Sequence, residues 1–271
     1  MQYDKIKRSL GNVFKCHPFL RKCFYVMLDL LLLRSWHIKK ELRLIRKILP
    51  ADACILDAGA GFGQYVYYLS KLEKKWQIKA VDVKAELVNE CNIFFEKIGR
   101  NNRVRFETAD LTKFCKPNLF DLAISVDVME HIPDDSTVFH NIYTSLKQGG
   151  MLLISTPSDK GGSDADHHNG SFIDEHVRKG YNTEELRSKL TYAGFSEVDV
   201  QYTYGRPGHV SWLFSIKFPM LMLRTSKLFF TLLPFYYMVS FPFCLLLNWW
   251  DVCILHESGT GLLVKARKIE K

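Results

Sequence analysis

Between residues 53 and 205 the sequence alternates short apolar segments with longer segments whose apolar residues follow helical spacing. The short segments are apolar throughout, which is typical of strands covered on both faces. Parallel strands need a crossover connection, and a helix usually provides it. This alternation predicts an α/β protein with a doubly wound, mostly parallel sheet and helices on both faces.

A glycine-rich turn, Asp57-Ala-Gly-Ala-Gly-Phe-Gly63, follows the first predicted strand. Glycines let a backbone turn sharply and approach a ligand, and the next helix offers free N–H groups. A nicotinamide-binding turn reads G-x-G-x-x-G, whereas this turn reads G-x-G-x-G, with Gln64 where the last glycine would stand. An NAD-dependent oxidoreductase is therefore a disfavoured alternative.

Carboxylates follow the next two predicted strands. Asp82 ends the second strand, where a carboxylate can accept hydrogen bonds from both hydroxyls of a ribose. The alternative role for Asp82 is a cap on the following helix. Asp110 and Leu111 follow the third strand and are placed to meet the amino group and apolar face of an adenine. Ligands of doubly wound sheets bind at these strand ends, so a nucleoside-containing ligand is expected.

Five segments in order, at residues 55–63, 80–82, 109–110, 120–126 and 146–154, resemble the class I S-adenosylmethionine-dependent methyltransferases. The resemblance covers about residues 51–204. It implies a Rossmann-like sheet of seven strands with the last antiparallel, S-adenosylmethionine as cofactor, and methyl transfer as the reaction. It also implies that Asp82 binds the ribose and that Asp110 lies near the adenine. The residues predicted to bind the cofactor are Asp57, Gly59, Gly61, Gly63, Asp82, Val83, Asp110, Leu111 and Val126.

Candidate catalytic residues follow the fourth strand, in Asp127-Val-Met-Glu130-His131. Methyl transfer often requires removal of a proton from the acceptor, which Glu130 or His131 could perform. The Glu-His pair resembles that of ubiquinone-pathway O-methyltransferases, where such a cluster is associated with a divalent metal. A metal is therefore allowed but not expected, and no metal ligands are assigned. The alternative is a structural role, in which Glu130 lies near the sulfonium and His131 caps or packs.

A glycine-rich polar loop follows the fifth strand and is predicted to close over the acceptor. His167, His176 or Tyr181 would then contact or deprotonate an acceptor hydroxyl, so His176 and Tyr181 complete the candidate catalytic set. In the alternative, His176 and Arg178 pin the loop to the sheet. The loop's Asp and His residues match no tight metal-ligand spacing.

Charge is concentrated near the N-terminus. The chain has a net charge of +8, and residues 1–47 contain twelve basic and three acidic residues, so the rest is close to neutral. A nucleic-acid enzyme would usually carry basic residues around its active site, and the Asn/Asp-Pro-Pro-aromatic motif that grips a flipped base is absent. We therefore expect no nucleic-acid partner and predict that the basic segment meets an anionic membrane surface.

The location is expected to be intracellular. Seven cysteines, an odd number without a C-x-x-C pair, suggest neither a disulfide framework nor a zinc site. The apolar stretch at residues 23–33 is interrupted by Asp29 and followed by basic residues, without a small-residue cleavage site. We expect it to remain attached as an amphipathic helix.

A hydrophobic insertion separates the sixth and seventh predicted strands. Residues 228–250 contain no charged side chain, and a helix of that length would span roughly 35 Å, enough to cross a bilayer core. Neighbouring strands require both ends of the insertion to return to one side, which a single span cannot do. Pro234 and Pro242 offer two places for a break. We predict helices that dip into one leaflet or lie in its interface, the alternative being a lid or dimer interface.

These observations divide the chain into a basic helical extension (1–50), a cofactor-binding core (51–204), the hydrophobic insertion (205–258) and the final strand (259–271). The predicted function is methyl transfer to a lipophilic small-molecule acceptor, preferably a hydroxyl of a quinone precursor, phenolic lipid or other lipid. The protein would be peripheral or monotopic on the inner face of the cytoplasmic membrane. The alternative is a cofactor-binding membrane scaffold without turnover. The acceptor and the oligomeric state are left open.

Overall fold

The computed structural model describes residues 17–161, 177–226 and 228–269. Its strands are β1 (Cys54–Ala58), β2 (Gln77–Asp82), β3 (Val104–Thr108), β4 (Phe120–Val126), β5 (Leu146–Pro157), β6 (Glu197–Thr203) and β7 (Gly261–Arg267). Its α-helices are α1 (Pro18–Leu31), α2 (Leu33–Ile45), α3 (Gln64–Leu72), α4 (Ala85–Lys97), α5 (Asp135–Ser145), α6 (Thr183–Ala193), α7 (Arg206–Trp212), α8 (Phe218–Thr225) and α9 (Phe229–Cys253).

The strands form one seven-stranded sheet in the order β3-β2-β1-β4-β5-β7-β6. Strand β7 is antiparallel to both of its neighbours, and the pairs among β1 to β5 are parallel. This confirms the predicted Rossmann-like sheet with its antiparallel last strand. The chain order reverses between β1 and β4, which is where ligands bind in doubly wound sheets.

Two apolar layers cover the sheet. On one face, α1 to α4 pack around Trp76 and Phe95, both about 1% exposed or less. On the other face, α5 and α6 pack around Phe139 and Phe195. Burial on both faces explains why the strands are apolar throughout rather than alternating.

The N-terminal segment folds as two helices rather than one, because Leu32 between them has extended backbone angles. Several basic side chains of this segment turn inward. Arg21 is 8% exposed and donates to the Phe62 carbonyl at 2.9 Å, and Lys39 pairs with Asp29. The segment is therefore packed on the core as well as basic.

The insertion forms a helical hairpin. Its first leg, residues 206–225, comprises α7, a π-helical stretch at Leu213–Lys217, and α8. Pro219 has no N–H to bond the Ser215 carbonyl four residues earlier, and that carbonyl instead accepts the Tyr237 hydroxyl from α9 at 2.8 Å. The hairpin returns the chain to the side of the sheet from which it left.

Helix α9 continues through both of its prolines, so the breaks predicted at Pro234 and Pro242 do not occur. A proline inside a helix removes one hydrogen bond, and packing against a neighbouring helix can hold the remaining turns in line. Here Cys244, two residues beyond Pro242, accepts a hydrogen bond through its carbonyl from Ser211 of the first leg at 3.2 Å.

A buried carboxylate attaches the base of the hairpin to the core. Asp251, at 0% exposure, lies 2.8 Å from Nε2 of His37 in α2 and 3.2 Å from Nε2 of His256. Its Oδ2 also accepts the Gly208 N–H of α7 at 2.9 Å. Both legs of the hairpin and the N-terminal helices therefore meet at one charged side chain.

Candidate active site

The glycine turn between β1 and α3 has the backbone that its sequence predicts. Gly59, Gly61 and Gly63 all have positive φ, at 88°, 50° and 76°. A Cβ on Gly59 would lie 2.3 Å from Val128, whereas one on Gly61 would meet no atom within 4 Å. The turn is therefore packed at Gly59 and open at Gly61, where a ligand can approach the backbone.

Asp82 lies at the end of β2, beside this turn. Its Oδ2 accepts the Gly61 N–H at 2.8 Å, and its Oδ1 accepts the Lys84 N–H at 2.9 Å. Helix α4 has Lys84 as its N-cap, without a side-chain capping bond, so Asp82 is not the capping residue of the helix. Each carboxylate oxygen has further acceptor capacity, which two ribose hydroxyls could use.

The other predicted cofactor contacts surround the same edge of the sheet. Hydrogen bonds from Thr112 hold the pKa of the Asp110 carboxyl below its usual value, so it is an ionised acceptor. Val83 is 69% exposed beside Asp82, whereas Leu111 is only 7% exposed and packs in the core. Val126 is half-buried at the end of β4.

Asp57, in β1, is the most perturbed carboxyl at this edge. It is 1% exposed, and its Oδ2 accepts no hydrogen bond from the described residues. Burial, together with the nearby Asp82, raises the pKa of Asp57 to about 8. The open backbone at Gly61, the acceptor carboxylates of Asp82 and Asp110, and the Asp57 Oδ2, which has no hydrogen-bond partner among the described residues, fit a cofactor that is both a hydroxyl donor and a cation.

We expect Asp57 to make the stability of the ligand-free protein depend on pH. Its folded-state pKa is raised, so the unfolded state releases this proton first, and stability falls as pH rises from about 4 to about 8. The slope is at most about 1.4 kcal/mol per pH unit. Thermal unfolding should be measured at several pH values. We expect the melting temperature of Asp57→Asn to rise relative to that of the wild type as pH increases through this window.

The control for this experiment is Asp52→Asn. Asp52 is an exposed carboxyl that precedes β1, outside the predicted cofactor site. It should retain the wild-type dependence on pH. If the melting temperatures of the wild type and Asp57→Asn changed equally with pH across the window, this result would contradict a protonated Asp57 in the folded protein.

The predicted acceptor side of the site lies where β4 ends. Asp127 has a positive φ of 53° and forms an ion pair with Arg34 of α2. The backbone N–H of Arg34 donates to the hydroxyl of Tyr204, which follows β6, at 3.0 Å. The N-terminal helices therefore bring a cation to the edge of the predicted active site.

Glu130 and His131 occupy a short 3₁₀ turn, Met129–His131, after Asp127. Glu130 is 1% exposed, its Oε2 accepts the Thr156 hydroxyl at 3.2 Å, and burial raises the pKa of its carboxyl. His131 is half-buried. The structure therefore makes His131 the more accessible member of the pair and buries Glu130.

Tyr181 is fully buried and held by charged neighbours. Its hydroxyl donates to Asp135 at 2.6 Å and receives a hydrogen bond from Arg178 at 2.8 Å. Burial and the Asp135 carboxylate raise the pKa of the Tyr181 phenol. This placement favours the alternative in which the loop is anchored to the sheet, with Arg178 as the anchoring residue. His167 and His176 lie outside the described residues.

Within the described ranges, no group of three or more His, Cys, Asp or Glu side chains is arranged to hold a metal ion. The polar loop considered for metal ligation lies mostly at residues 162–176, outside those ranges.

Sequence patterns did not reveal three contributors to the site: Arg34, Tyr204 and Gln64. Gln64 donates to Asp29 at 2.7 Å and to Ser35 at 3.0 Å, and so ties the first turn of α3 to the N-terminal helices. These pairs join residues far apart in sequence, so no local motif identifies them. Gln64 directly follows the glycine turn, where a nicotinamide-binding turn would have its last glycine, and this difference is the one local sign of its role.

A family model described as a methyltransferase domain matches residues 55–150. The sheet order and the glycine turn agree with this match, and together they support the predicted class I S-adenosylmethionine-dependent methyltransferase domain. The cofactor of this class is S-adenosylmethionine, as predicted.

Curated relatives include both N- and O-methyltransferases. The chain is 30% identical to phosphoethanolamine N-methyltransferase 1 of Triticum aestivum over 55% of this chain and 30% of the relative. It is 28% identical to a ubiquinone biosynthesis O-methyltransferase of Xanthomonas euvesicatoria over 39% of this chain and 44% of the relative. The chain thus spans less than half the length of either relative.

Solved structures share the fold at low identity. Phosphoethanolamine N-methyltransferase 2 of Haemonchus contortus, in complex with S-adenosyl-L-methionine, has a TM-score of 0.60 and 19% identity over 91% of this chain and 60% of its own. The [4+2]-cyclase SpnF has a TM-score of 0.59 and 17% identity over 88% and 82%. Since one of these neighbours is a cyclase, the fold alone does not define the reaction.

Proposed function

We propose that this protein transfers a methyl group from S-adenosylmethionine to a hydroxyl or amine of a lipophilic acceptor at the cytoplasmic face of a membrane. The observation that carries the proposal is the position of the apolar hairpin. It leaves the sheet between β6 and β7, at the same edge as Asp82 and Asp127. An acceptor held by the membrane would thus reach the methyl-transfer site without crossing water.

The exposure of α9 supports membrane contact. The helix is long and apolar enough to cross a bilayer, and only 11% of its most apolar window is buried in the structure. The core helix of a soluble protein would be mostly buried. Side chains such as Met238 (72% exposed) and Val239 (80%) would otherwise form an apolar face in water.

The hairpin shape supports insertion from one side. Its legs are joined by hydrogen bonds at Tyr236 and Tyr237, and both ends lie at the sheet. The first leg carries Lys217 and Arg224, which disfavours complete burial of that leg in hydrocarbon. The hairpin would therefore enter the membrane from one side only. The candidates for the headgroup level are Trp212, Tyr236, Tyr237, Trp249 and Trp250.

The N-terminal helices would add a second contact with the membrane. Helix α1 exposes Phe19 (63%) and Val26 (55%). Arg43 and Lys47 are exposed beyond it, and each basic residue near an anionic surface contributes about 1 kcal/mol. Because Arg21 is bound inside the fold, this electrostatic contribution is smaller than the sequence suggests.

When bound, S-adenosylmethionine supplies a methyl group on positively charged sulfur, so the protein need not activate that group. The acceptor's lone pair would form the new bond to the methyl carbon, and the carbon–sulfur bond would break with its electrons going to sulfur. His131 would take the acceptor's proton, and the buried Glu130 would stabilise the imidazolium that results. Asp82 and the glycine turn would hold the ribose and fix the orientation of the cofactor.

The test of this proposal is transfer of a labelled methyl group from S-adenosylmethionine into vesicles of a total lipid extract. We expect label in an organic-soluble product. His131→Ala should lower the initial rate about a hundredfold or more, because a general base typically contributes that much. Higher pH should restore part of the rate, since the acceptor then loses its proton to solvent.

The matched control is His140→Ala, because His140 is an exposed histidine on α5. It should keep the wild-type rate. Cofactor binding without label in any fraction would contradict methyl transfer, and label only in the aqueous fraction would contradict a lipid acceptor. A wild-type rate in His131→Ala would exclude His131 as the base.

A further inference from the structure

A cleft opens at the carboxyl edge of the sheet, away from the glycine turn. Three connections form it: the residues after β5, the passage from β6 into α7, and the residues before β7. It has a volume of about 400 Å³, and its lining includes Lys160, Tyr204, Arg206, His209, Ser258 and Thr260.

Hydrogen bonds between the three connections give the cleft a defined wall. Ser158 donates its backbone N–H to the Thr260 carbonyl at 3.0 Å and its hydroxyl to the Gly259 carbonyl at 2.5 Å. The Thr260 N–H donates to the Tyr204 carbonyl at 3.3 Å. The cleft is therefore held by bonds of the main chain rather than by side-chain packing alone.

The residues that line the cleft include several hydrogen-bond donors, while most of the surface that they present to it is apolar. Lys160 and Arg206 are cations, His209 adds an imidazole, and Ser258 and Thr260 add hydroxyls. Among the described residues that line the cleft, none is Asp or Glu. Arginine and lysine beside hydroxyl donors form a set that suits phosphate oxygens.

The cleft lies between residues that contact the candidate active site and the first turns of the hairpin. On one side, the Tyr204 hydroxyl accepts the backbone N–H of Arg34, whose side chain pairs with Asp127. On the other side, Arg206 and His209 belong to the first turns of the hairpin's first leg. An anionic group bound here would have the reaction side at one end and the apolar hairpin at the other.

We propose that this cleft binds the phosphate ester group of a methyl acceptor, with Lys160 and Arg206 as the charged contacts. The proposal rests on the methyl-transfer function above and adds a substrate class to it. The phosphate could belong to a soluble phosphoester or to a lipid headgroup, which share the chemistry that the cleft recognises.

The test compares the Lys160→Ala/Arg206→Ala double variant with a Lys74→Ala/Lys75→Ala control. Lys74 and Lys75 are exposed before β2, at the opposite edge of the sheet. One probe is glycerol 3-phosphate, measured by calorimetry. The other is phosphatidylcholine vesicles with and without phosphatidic acid, measured by sedimentation.

We expect the cleft variant to lose at least about tenfold in affinity, because the substitutions remove both charged hydrogen-bond donors of the cleft. Loss for glycerol 3-phosphate alone assigns a soluble phosphoester. Loss of the preference for phosphatidic acid, alone or with the first loss, assigns a lipid headgroup. Equal binding by the cleft variant and the control, or binding of neither probe by the wild type, would overturn the proposal.

Methyl transfer and cofactor binding are measured on the same proteins. Unchanged cofactor affinity in the cleft variant shows that it is folded. If the wild type methylates lipid but phosphate binding does not depend on Lys160 and Arg206, the cleft proposal fails and the function stands. If phosphate binding depends on both residues but no transfer occurs, the cleft stands and the proposed function fails.

Discussion

Replacing Asp82 with alanine is expected to weaken the binding of S-adenosylmethionine about a hundredfold. The carboxylate would accept two ribose hydroxyls, and hydrogen bonds to a charged group contribute roughly 1.5–3 kcal/mol each. The substitution also removes the acceptor of the Gly61 N–H, which holds the open part of the glycine turn. Calorimetric titration of the purified protein with the cofactor measures the effect.

Two variants calibrate this result. Asp82→Asn keeps the size of the side chain and one acceptor oxygen, so its affinity should fall between those of wild type and Asp82→Ala. Asp52→Ala changes an exposed side chain outside the predicted cofactor site, so this variant should bind the cofactor like the wild type. Unchanged cofactor affinity in a folded Asp82→Ala protein would show that the ribose is placed wrongly.

A second large effect is expected when the exposed apolar face of α9 is made polar. Met238→Ser/Val239→Ser changes two side chains that are 72% and 80% exposed. Burying such a side chain in an apolar environment contributes roughly 1.5–3 kcal/mol, so losing both should lower vesicle partitioning about a hundredfold. Sedimentation with phosphatidylcholine vesicles that contain phosphatidic acid measures the partition coefficient.

The matched control makes the same kind of change, from an exposed apolar side chain to serine, at two surface positions outside the hairpin. Leu119→Ser/Tyr192→Ser alters side chains that are 40% and 91% exposed, away from the hairpin, and should leave partitioning unchanged. A wild-type protein that stays in the supernatant of a detergent-free lysate would contradict membrane binding. If that protein were a dimer that Met238→Ser/Val239→Ser dissociates, the hairpin would be a dimer interface.

Local patterns were sufficient to predict the sheet and the edge at which Asp82 and the glycine turn meet. Apolar strands interrupted by helices allow few topologies, and chain reversal beside β1 places Asp82 and the glycine turn together. The positive φ of Gly61 follows from a turn that only glycine adopts easily. These features depend on residues close together in the chain, or on topology rules that hold for any such sheet.

The hairpin shows the limit of reasoning from residue type. Proline predicts a helix break from the loss of one backbone hydrogen bond, yet α9 passes through Pro234 and Pro242. Contacts with the first leg, about thirty residues earlier in the chain, hold the helix together. The composition did predict the apolar surface of this helix, because residues 228–250 contain no charged side chain that any fold could expose.

The sequence by itself determined the class of fold, the cofactor and the strand ends where we predict the chemistry, because those follow from short-range periodicity and one turn. Tertiary structure alone decided which charges face inward. It pairs Arg34 with Asp127, buries Tyr181 against Asp135 and joins His37 to Asp251. Each of these contacts spans from 46 to 214 residues of sequence, and only the packing of helices on the sheet brings such partners within bonding distance.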